Sequence, residues 1–444
     1  MERAIILFTR VPVPGKTKTR MMPYLTEKQC AALHTCFLRD IEEICRKCKA
    51  DVFVSFAPEE GGEEKLKRIL GEQAGYFPQE GEGLGARMYH ALGKVFSLGY
   101  KACLLIGSDV PEVSLEALDR AYSVLEEKDV VFGRTMDGGY YLTGMKSLRA
   151  EAFGLKEYGH GSVLCGTVQR LTEAGISVGY TDTFADMDTP SDLNGYRRRM
   201  RGNARLKGSH TGRCLARNVK ISVIVPVYNE VKTIEKLQKQ LLPLLGKCEI
   251  LLVDGGSTDG TLEKILPEIP VLRCSKGRAR QMNHGARKSS GDVLFFLHCD
   301  SELPKRPLEE IRRVMRDFQA GCFGVAFHSC NFFMLTCRLI SNHRIKDRKV
   351  MFGDQGIFLD RALFFEAGMY PEIPVMEDYQ LSLALKERGV KLGMCRKRIY
   401  TSDRRFPKGT IRKLALMWKM NRLRKMYRDG VPAAKISRLY EDVR

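Results

Sequence analysis

An α/β chain of two domains, each built around a mostly parallel central sheet, is what this sequence predicts, and three observations predict it. Short β-rich runs alternate with helical stretches along both halves of the chain. The alternation breaks once, between Tyr196 and Lys220, where "YRRRMRGNARLKGSHTGRCLARNVK" is rich in Lys and Arg and has no acidic residue. Several runs also stop at a polar residue, as expected of doubly wound sheets whose ligands lie beyond the carboxyl ends of the strands. A length of 444 residues with 44% hydrophobic content suits two or three domains with ample core.

The first run, "AIILFT", is too short for a signal-peptide core and has Arg10 and Lys16 close behind it, so it reads as a buried strand. The loop that follows, "PGKTKTR", presents Lys16, Lys18 and Arg20, cations suited to a diphosphate or triphosphate. Further strands are "DVFVSF", "ACLLIGSD" and "DVVFGR". Cys45 and Cys48 form the one C-x-x-C, with no second pair to complete a zinc site. Asp109 closes the third strand, while Asp186 and Asp188 lie in "ADMDTP". Two separated strand-end aspartates are what a phosphate-bound Mg²⁺ requires, so Asp109 pairs with Asp188 and Asp186 is held in reserve. In "DGGYYL", Gly138 and Gly139 make a tight turn that either lets backbone approach a ligand or serves the core alone.

The acid-free stretch, taken as residues 197–219, is expected to be a solvated linker. After it come "ISVIVPVYN", "CEILLVDGG" and "VLFFLHCD", three strand ends in the right order to build one pocket. The last delivers a carboxylate, Asp300, with His298 two residues before it. "VMEDYQLSLAL" begins an amphipathic helix with Glu377 and Asp378, an acidic pair that the helix dipole alone would favour. "TSDRRFPKGT" offers Arg404 and Arg405 either as forked diphosphate donors or as a basic turn. In "TIRKLALMWKMNRLRKMYRDG", Ile411, Leu414, Ala415 and Trp418 share a helical face, with Leu423 and Tyr427 further along. That stripe reads as core packing or as a surface for anionic membrane or a lipid acceptor.

From Lys220 onward the ordered motifs "SVIVPVYNE", "EILLVDGGSTDGT", "LFFLHCDSELP", "KGRARQMNHGA", "GDQGIFLDRALFFEAG" and "MEDYQLSLALKERG" resemble a family 2 glycosyltransferase of GT-A fold. The H-x-D form, together with "GRARQMN", is similar to the radical-SAM/selenodomain-associated transferase 2 subgroup, also labelled arsenosugar or carotenoid-acid glycosyltransferase. Before Tyr196, "FTRVPVPGKTKTRM", "GEGLGARMYHAL", "LLIGSDVPEVSLEAL", "VFGRTMDGGYYLTGM" and "FADMDTPSDL" resemble the transferase 1 family of the same association, whose fold is that of nucleotidyltransferases. The typical G-x-G-x-R signature is missing from "PGKTKTR".

The resemblance implies two GT-A-like (nucleotide-diphospho-sugar transferase) domains, residues 1–196 and 220–444, and a bifunctional enzyme. Pro226, Tyr228 and Glu230 would line the base and ribose of a nucleoside diphosphate sugar, and Asp254 would accept from the base edge. Asp300 would hold a divalent metal, Mg²⁺ or Mn²⁺, bridging the donor diphosphate. His298 either joins it, favouring Mn²⁺, or only bonds the strand end. Asp378, with Glu377 beside it, would take the acceptor hydroxyl's proton in an inverting transfer. The first domain would make the activated donor or perform a related transfer, or else only bind nucleotide and regulate.

A net charge of +20 attracts anions: nucleotides, phosphorylated sugars, anionic lipid or nucleic acid, the last being the alternative that charge alone leaves open. Fourteen cysteines without framework spacing point to a reduced, cytoplasmic chain. No run of about 18 apolar residues argues for a spanning helix, which leaves peripheral contact at the inner membrane face.

Overall fold

The computed structural model describes residues 2–22, 24–155, 161–328, 332–401 and 410–441. Its strands fall into two seven-stranded sheets. The first contains β1 (Arg3–Thr9), β2 (Asp51–Phe56), β3 (Gly75–Pro78), β4 (Ala102–Gly107), β5 (Val130–Thr135), β6 (Tyr140–Met145) and β7 (Val178–Phe184). The second contains β8 (Ile221–Val227), β9 (Glu249–Asp254), β10 (Val271–Arg273), β11 (Val293–Phe296), β12 (Ala320–Ala326), β13 (Ile357–Asp360) and β14 (Leu392–Tyr400). The spatial orders, β3-β2-β1-β4-β6-β5-β7 and β10-β9-β8-β11-β13-β12-β14, are one topology used twice. The chain divides into two units, residues 1–215 and 216–444.

The central strands are apolar without interruption because both faces are covered. Successive side chains point to opposite faces, so Ile5 and Leu7 enter one core cluster while Ala4 and Ile6 enter another. In the second unit Val223 and Val225 likewise part from Ile224, and Phe295 from Leu294 and Phe296.

Mostly parallel pairing is observed, with one reversed strand per sheet. β6 pairs antiparallel with both β4 and β5, and β13 does the same between β11 and β12. A short turn, residues 136–139, joins β5 to β6, and only an antiparallel neighbour can be reached through so few residues.

The stretch expected to be a solvated linker is helical instead. It forms Pro190–Gly202, Ala204–Gly208 and His210–Arg217. Tyr196, Met200, Leu206 and Leu215 are buried in one cluster with Met21, Leu33 and Phe37 of the first unit. Its cations are spent on fixed acceptors. Arg199 forks onto Glu112, and Arg205 donates to the Glu112 and Val113 carbonyls at 2.8 and 3.0 Å. The Asp40 carboxylate accepts from the His210 and Thr211 N–H groups at 2.7 and 2.8 Å, satisfying donors that a helix N-terminus leaves open.

Residues 1–215 expressed alone are therefore expected to unfold in one cooperative transition. A chain ending at Gly208 loses both Asp40 hydrogen bonds and the burial of Leu215, a cost of at least about 2 kcal/mol, or roughly 5 °C in Tm. Thermal melts of the two chains compare them directly, and equal midpoints would assign the helix His210–Arg217 no part in the first unit.

Candidate functional site

In the second unit the carboxyl ends of β8 and β9 are tied together by a buried amide. Gln281 Nε2 donates to the Val227 and Val253 carbonyls, both at 2.7 Å. Past β8, Asn229 adopts φ +53°, a left-handed conformation that Asn tolerates better than most residues. Its Oδ1 accepts from the Thr258 N–H at 2.9 Å, and its own N–H donates to Ser257 Oγ at 2.9 Å. The Tyr228 ring lies beneath the Lys276 ammonium, 4.2 Å from the ring centre, so a cation stands beside the residue expected to meet the base.

Two of the expected donor contacts have other partners. Asp254 is buried, and its carboxylate accepts from the Gly256 N–H at 2.8 Å and from Ser257 Oγ at 2.6 Å. It shapes the "DGGS" turn. The Glu230 carboxylate accepts from Thr233 Oγ1, and the Glu230 N–H donates to Thr261 Oγ1 at 2.8 Å. Pro226 lies in β8 opposite Val253 of β9. A strand-end residue read as a ligand contact also has orphan backbone donors at hand, and nearest-neighbour geometry wins.

Asp300 is half-buried beyond β11, and no group among the described residues hydrogen-bonds or ion-pairs with its carboxylate. The imidazole of His298 lies against Gly353: a Cβ added there would stand 2.6 Å from His298 Nε2 and 3.5 Å from Asp378 Oδ2. A side chain at that point would run into the ring, and the ring and the carboxylate both border the space beside Gly353. Asp378 is fixed by the N–H groups of Gly353 (2.8 Å) and Tyr379 (2.7 Å). Glu377 opens the helix Glu377–Glu387 and is buried, with Arg278 Nη1 3.3 Å from its Oε1. Burial, and then the adjoining Asp378 charge, raise the Glu377 carboxyl above its ordinary range against the pull of Arg278. Arg278 and Gly353 stand in "KGRARQMN" and "GDQG", motifs legible in the sequence without a role for either residue.

Arg404 and Arg405 lie outside the described residues. Of the basic C-terminal stripe, Leu423 is buried with Val350, Met376, Tyr379 and Ile436, and Tyr427 packs against that cluster. Trp418 and Ala415 are exposed, and the side chains of Ile411 and Leu414 are outside the described set. No described helix is long and apolar enough to cross a membrane.

In the first unit a cavity of about 390 Å³ opens where β1 and β4 end, lined by Thr9, Arg10, Arg87, Asp109, Asp137 and Asp186 among others. Gln79 Nε2 bridges the Thr9 and Ser55 carbonyls at 3.0 and 3.2 Å, repeating the Gln281 arrangement. The loop cations depart from expectation. Lys16 pairs with Glu59 at 2.8 Å, and Arg20 reaches only Asp188, at 3.7 Å. Lys18 is buried between the two carboxylates read as a metal pair, its Nζ 2.6 Å from Asp109 and 2.8 Å from Asp188, and it also donates to the Met187 carbonyl at 2.7 Å.

Burial alone would lower the Lys18 pKa, but the two carboxylates more than offset it and raise it. Burial would likewise raise Asp109, yet Lys18 holds it below its ordinary range. With the ammonium placed there, these residues do not fit a divalent ion, and among the described residues no three His, Cys, Asp or Glu side chains group as metal ligands. Gly138 has φ +90°, and a Cβ there would meet the Gly161 carbonyl oxygen at 2.0 Å, so the close approach is to the chain itself. The C-x-x-C thiols Cys45 and Cys48 are buried in the core.

Two mixed sheets of this order, with polar residues gathered at the carboxyl ends of the strands, are GT-A-like folds of the nucleotide-diphospho-sugar transferase kind. Residues 222–368 match the family model "Glycosyl transferase family 2", and residues 41–160 match the family described as "Uncharacterized protein conserved in bacteria (DUF2064)". The chain is a fusion of a DUF2064 domain with a family 2 glycosyltransferase domain. It is similar to glycosyltransferase AglE of Haloferax volcanii, 37% identical over 20% of this chain and 33% of that protein. It is also similar to glucosyl-3-phosphoglycerate synthase of Mycobacterium tuberculosis (strain CDC 1551), 36% identical over 18% of this chain and 28% of that protein. The chain thus spans a third or less of the length of these curated relatives. Among solved structures, a candidate nucleotide-diphospho-sugar transferase from Desulfovibrio desulfuricans G20 is 32% identical, covering 49% of this chain and 96% of that one, with a TM-score of 0.47.

Two predictions concern the first unit. Buried His34, whose Nε2 lies 3.2 Å from both Thr9 Oγ1 and Ser108 Oγ, has its pKa lowered from 6.5 to about 4, chiefly by burial. The unfolded chain takes up this proton first as pH falls, so stability is full above 6.5 and declines toward pH 4 by about 3 kcal/mol. Urea titrations of residues 1–215 across that range should show the decline, and His34→Gln should lack it. In the same fragment, Lys18→Met should leave two adjacent carboxylates uncompensated. Mn²⁺ is then expected to raise the Tm of Lys18→Met and not that of the parent, and an equal rise in both would restore the metal pair.

Proposed function

We propose that the second unit transfers a sugar from a nucleoside diphosphate donor to an acceptor hydroxyl, with inversion at the anomeric carbon. The observation that carries this reading is that Asp378 and His298 border the same space beside Gly353, beyond the strand that also delivers Asp300, whose carboxylate has no partner among the described residues. Donor groups would occupy the β8 and β9 ends, around Pro226, Tyr228 and Lys276. The N–H groups of Gly353 and Tyr379 hold Asp378 in one orientation. In that position it accepts the hydroxyl proton as the acceptor oxygen attacks the anomeric carbon, and the bond to the diphosphate breaks with its electron pair leaving on the phosphate oxygen. Glu377, buried and ion-paired with Arg278, serves to position the helix start rather than as the base.

A half-buried carboxylate with no partner among the described residues fits a hard cation, which commonly takes one or two carboxylates together with substrate phosphates. Asp300, with His298 beside it, would hold such an ion. Bound there, it would neutralise the departing diphosphate.

For the first unit, donor synthesis or a related transfer is the reading that the family resemblance supplies. The Lys18 bridge favours the other: a domain that binds an anionic ligand in its cavity without metal chemistry. The acceptor of the second unit is proposed to be a lipid-like or other hydroxyl compound met at the inner membrane face, in keeping with the net charge.

Asp378→Asn is expected to lower kcat by about 10²–10⁴-fold while donor affinity by calorimetry stays within a few-fold. Asp300→Ala and EDTA should each abolish transfer, read as nucleoside diphosphate release across a screen of UDP-, GDP- and other activated sugars. Turnover that survives EDTA would remove the metal from the scheme, and lost donor binding in Asp378→Asn would move that residue to the donor pocket.

A further inference from the structure

A cavity of about 520 Å³ in the second unit is not used by the scheme above. Its size is that of a small-ligand site. Three helices and the segment 350–352 wall it, supplying Arg344, Arg348, Lys386, Arg424 and Arg428 against a single carboxylate, Asp347. That carboxylate is already engaged, 2.6 Å from His343 Nε2. Arg348, Lys386 and Arg428 have no carboxylate partner among the described residues.

The floor is aromatic. The Arg344 and Arg424 guanidiniums lie 4.9 and 4.5 Å from the centre of the Phe352 ring, and Arg428 Nη1 donates to the Tyr379 hydroxyl at 3.2 Å. Stacking on a neutral ring fixes a guanidinium plane without cancelling its charge. Arg344 also donates to Ser341 Oγ at 2.8 Å, and Arg424 to Asn421 Oδ1 at 3.2 Å; the surplus charge counted here is that of Arg348, Lys386 and Arg428 alone. An orientated group of forked donors with surplus positive charge is what a phosphate monoester selects.

The cavity also adjoins the proposed chemistry. Phe352 is the chain neighbour of Gly353, whose N–H holds Asp378, and Tyr379 is the chain neighbour of Asp378 itself. Consecutive Cα atoms stand about 3.8 Å apart, so an anion in the cavity is within a small molecule's length of the base. The donor diphosphate belongs to the strand ends, which leaves this anion to the other substrate.

We infer that the cavity is the subsite for a phosphate group carried by the acceptor, an inference that rests on the transfer reading of the same unit. The phosphate belongs either to a small phosphorylated hydroxyl compound or to a lipid monophosphate that bears a free hydroxyl.

Calorimetry on the full chain at fixed ionic strength tests it, with inorganic phosphate and a detergent-solubilised lysophosphatidic acid, a lipid monophosphate with a free hydroxyl, as probes. Saturable binding of phosphate is expected, weakened at least about tenfold in the double variant Arg348→Glu/Lys386→Glu and retained in Lys386→Arg. Both reversed positions are exposed, Lys386 on the helix Glu377–Glu387 and Arg348 just past the helix Phe332–Asp347, and an unchanged melting curve checks the fold. Equal affinity for the two probes assigns a small phosphorylated acceptor, and lysophosphatidic acid bound at least about tenfold tighter assigns a lipid. An isotherm that the double variant leaves unchanged, or no saturable binding of either probe, overturns the subsite. Parallel titration with UDP- and GDP-sugars plus Mn²⁺ separates the two ideas: donor binding without phosphate binding removes the subsite alone, and phosphate binding without donor binding removes the transfer reading.

Discussion

Everything proposed for this chain depends on keeping the carboxyl end of a parallel sheet open. Where neighbouring strands stop, their last carbonyls point into the space a ligand would occupy, and unsatisfied they would cost about 1–3 kcal/mol each. A buried glutamine adds a donor there in both units, beside the Ala57 and Gly255 N–H groups that already reach the Thr9 and Val227 carbonyls at 2.9 Å. Gln281 spans the Val227 and Val253 carbonyls, and Gln79 spans those of Thr9 and Ser55. Each amide ties the first two strands together on one side of β8 or β1. The crevice then falls on the other side, where the order of strands reverses. The first-unit cavity between the ends of β1 and β4 lies there.

With the scaffold repeated, the two units differ in what they do with a carboxylate at the end of the equivalent strand. Asp109 follows β4 and is neutralised by Lys18, whose ammonium also answers Asp188 and the Met187 carbonyl. Asp300 follows β11 and meets no cation from the described chain. An internal lysine makes the first site self-sufficient in charge, whereas the second keeps a negative charge to be met from outside. One topology thereby supports two electrostatic characters, and the chemistry follows the charge left over.

Much of the scaffold was legible because buried parallel strands are apolar on both faces, and runs such as those of β1, β4, β8 and β11 stand out for that reason. The reversed strands β6 and β13 were not read: "DGGYYL" is read as a turn without the antiparallel pairing that so short a connection imposes, and β13 follows no such turn. The segment 197–219 failed for a different cause. Its arginines read as solvated, but Arg199 and Arg205 find an acid and two carbonyls far away in sequence, and three-dimensional partners are invisible to composition. At the site, strand-end position identified Asp300 and helix-start position placed Asp378. The roles given to Asp254 and Glu230 met competition from their own loops, because a short polar side chain beside open backbone donors has local uses as well as ligands, and that of Lys18 from Asp109 and Asp188, carboxylates far away in sequence.

The Asp40 contacts also bear on the order of events during synthesis. A chain that contains one topology twice offers each early strand two sets of compatible partners, and exchange between them is a characteristic hazard of tandem folds. The last hydrogen bonds that complete the first unit, from His210 and Thr211 to Asp40, become available just before β8 begins at Ile221. The contacts that complete the first sheet thus precede every strand of the second in the chain, and the basic helices after Tyr196 stand as a latch between the two sets of competing strands.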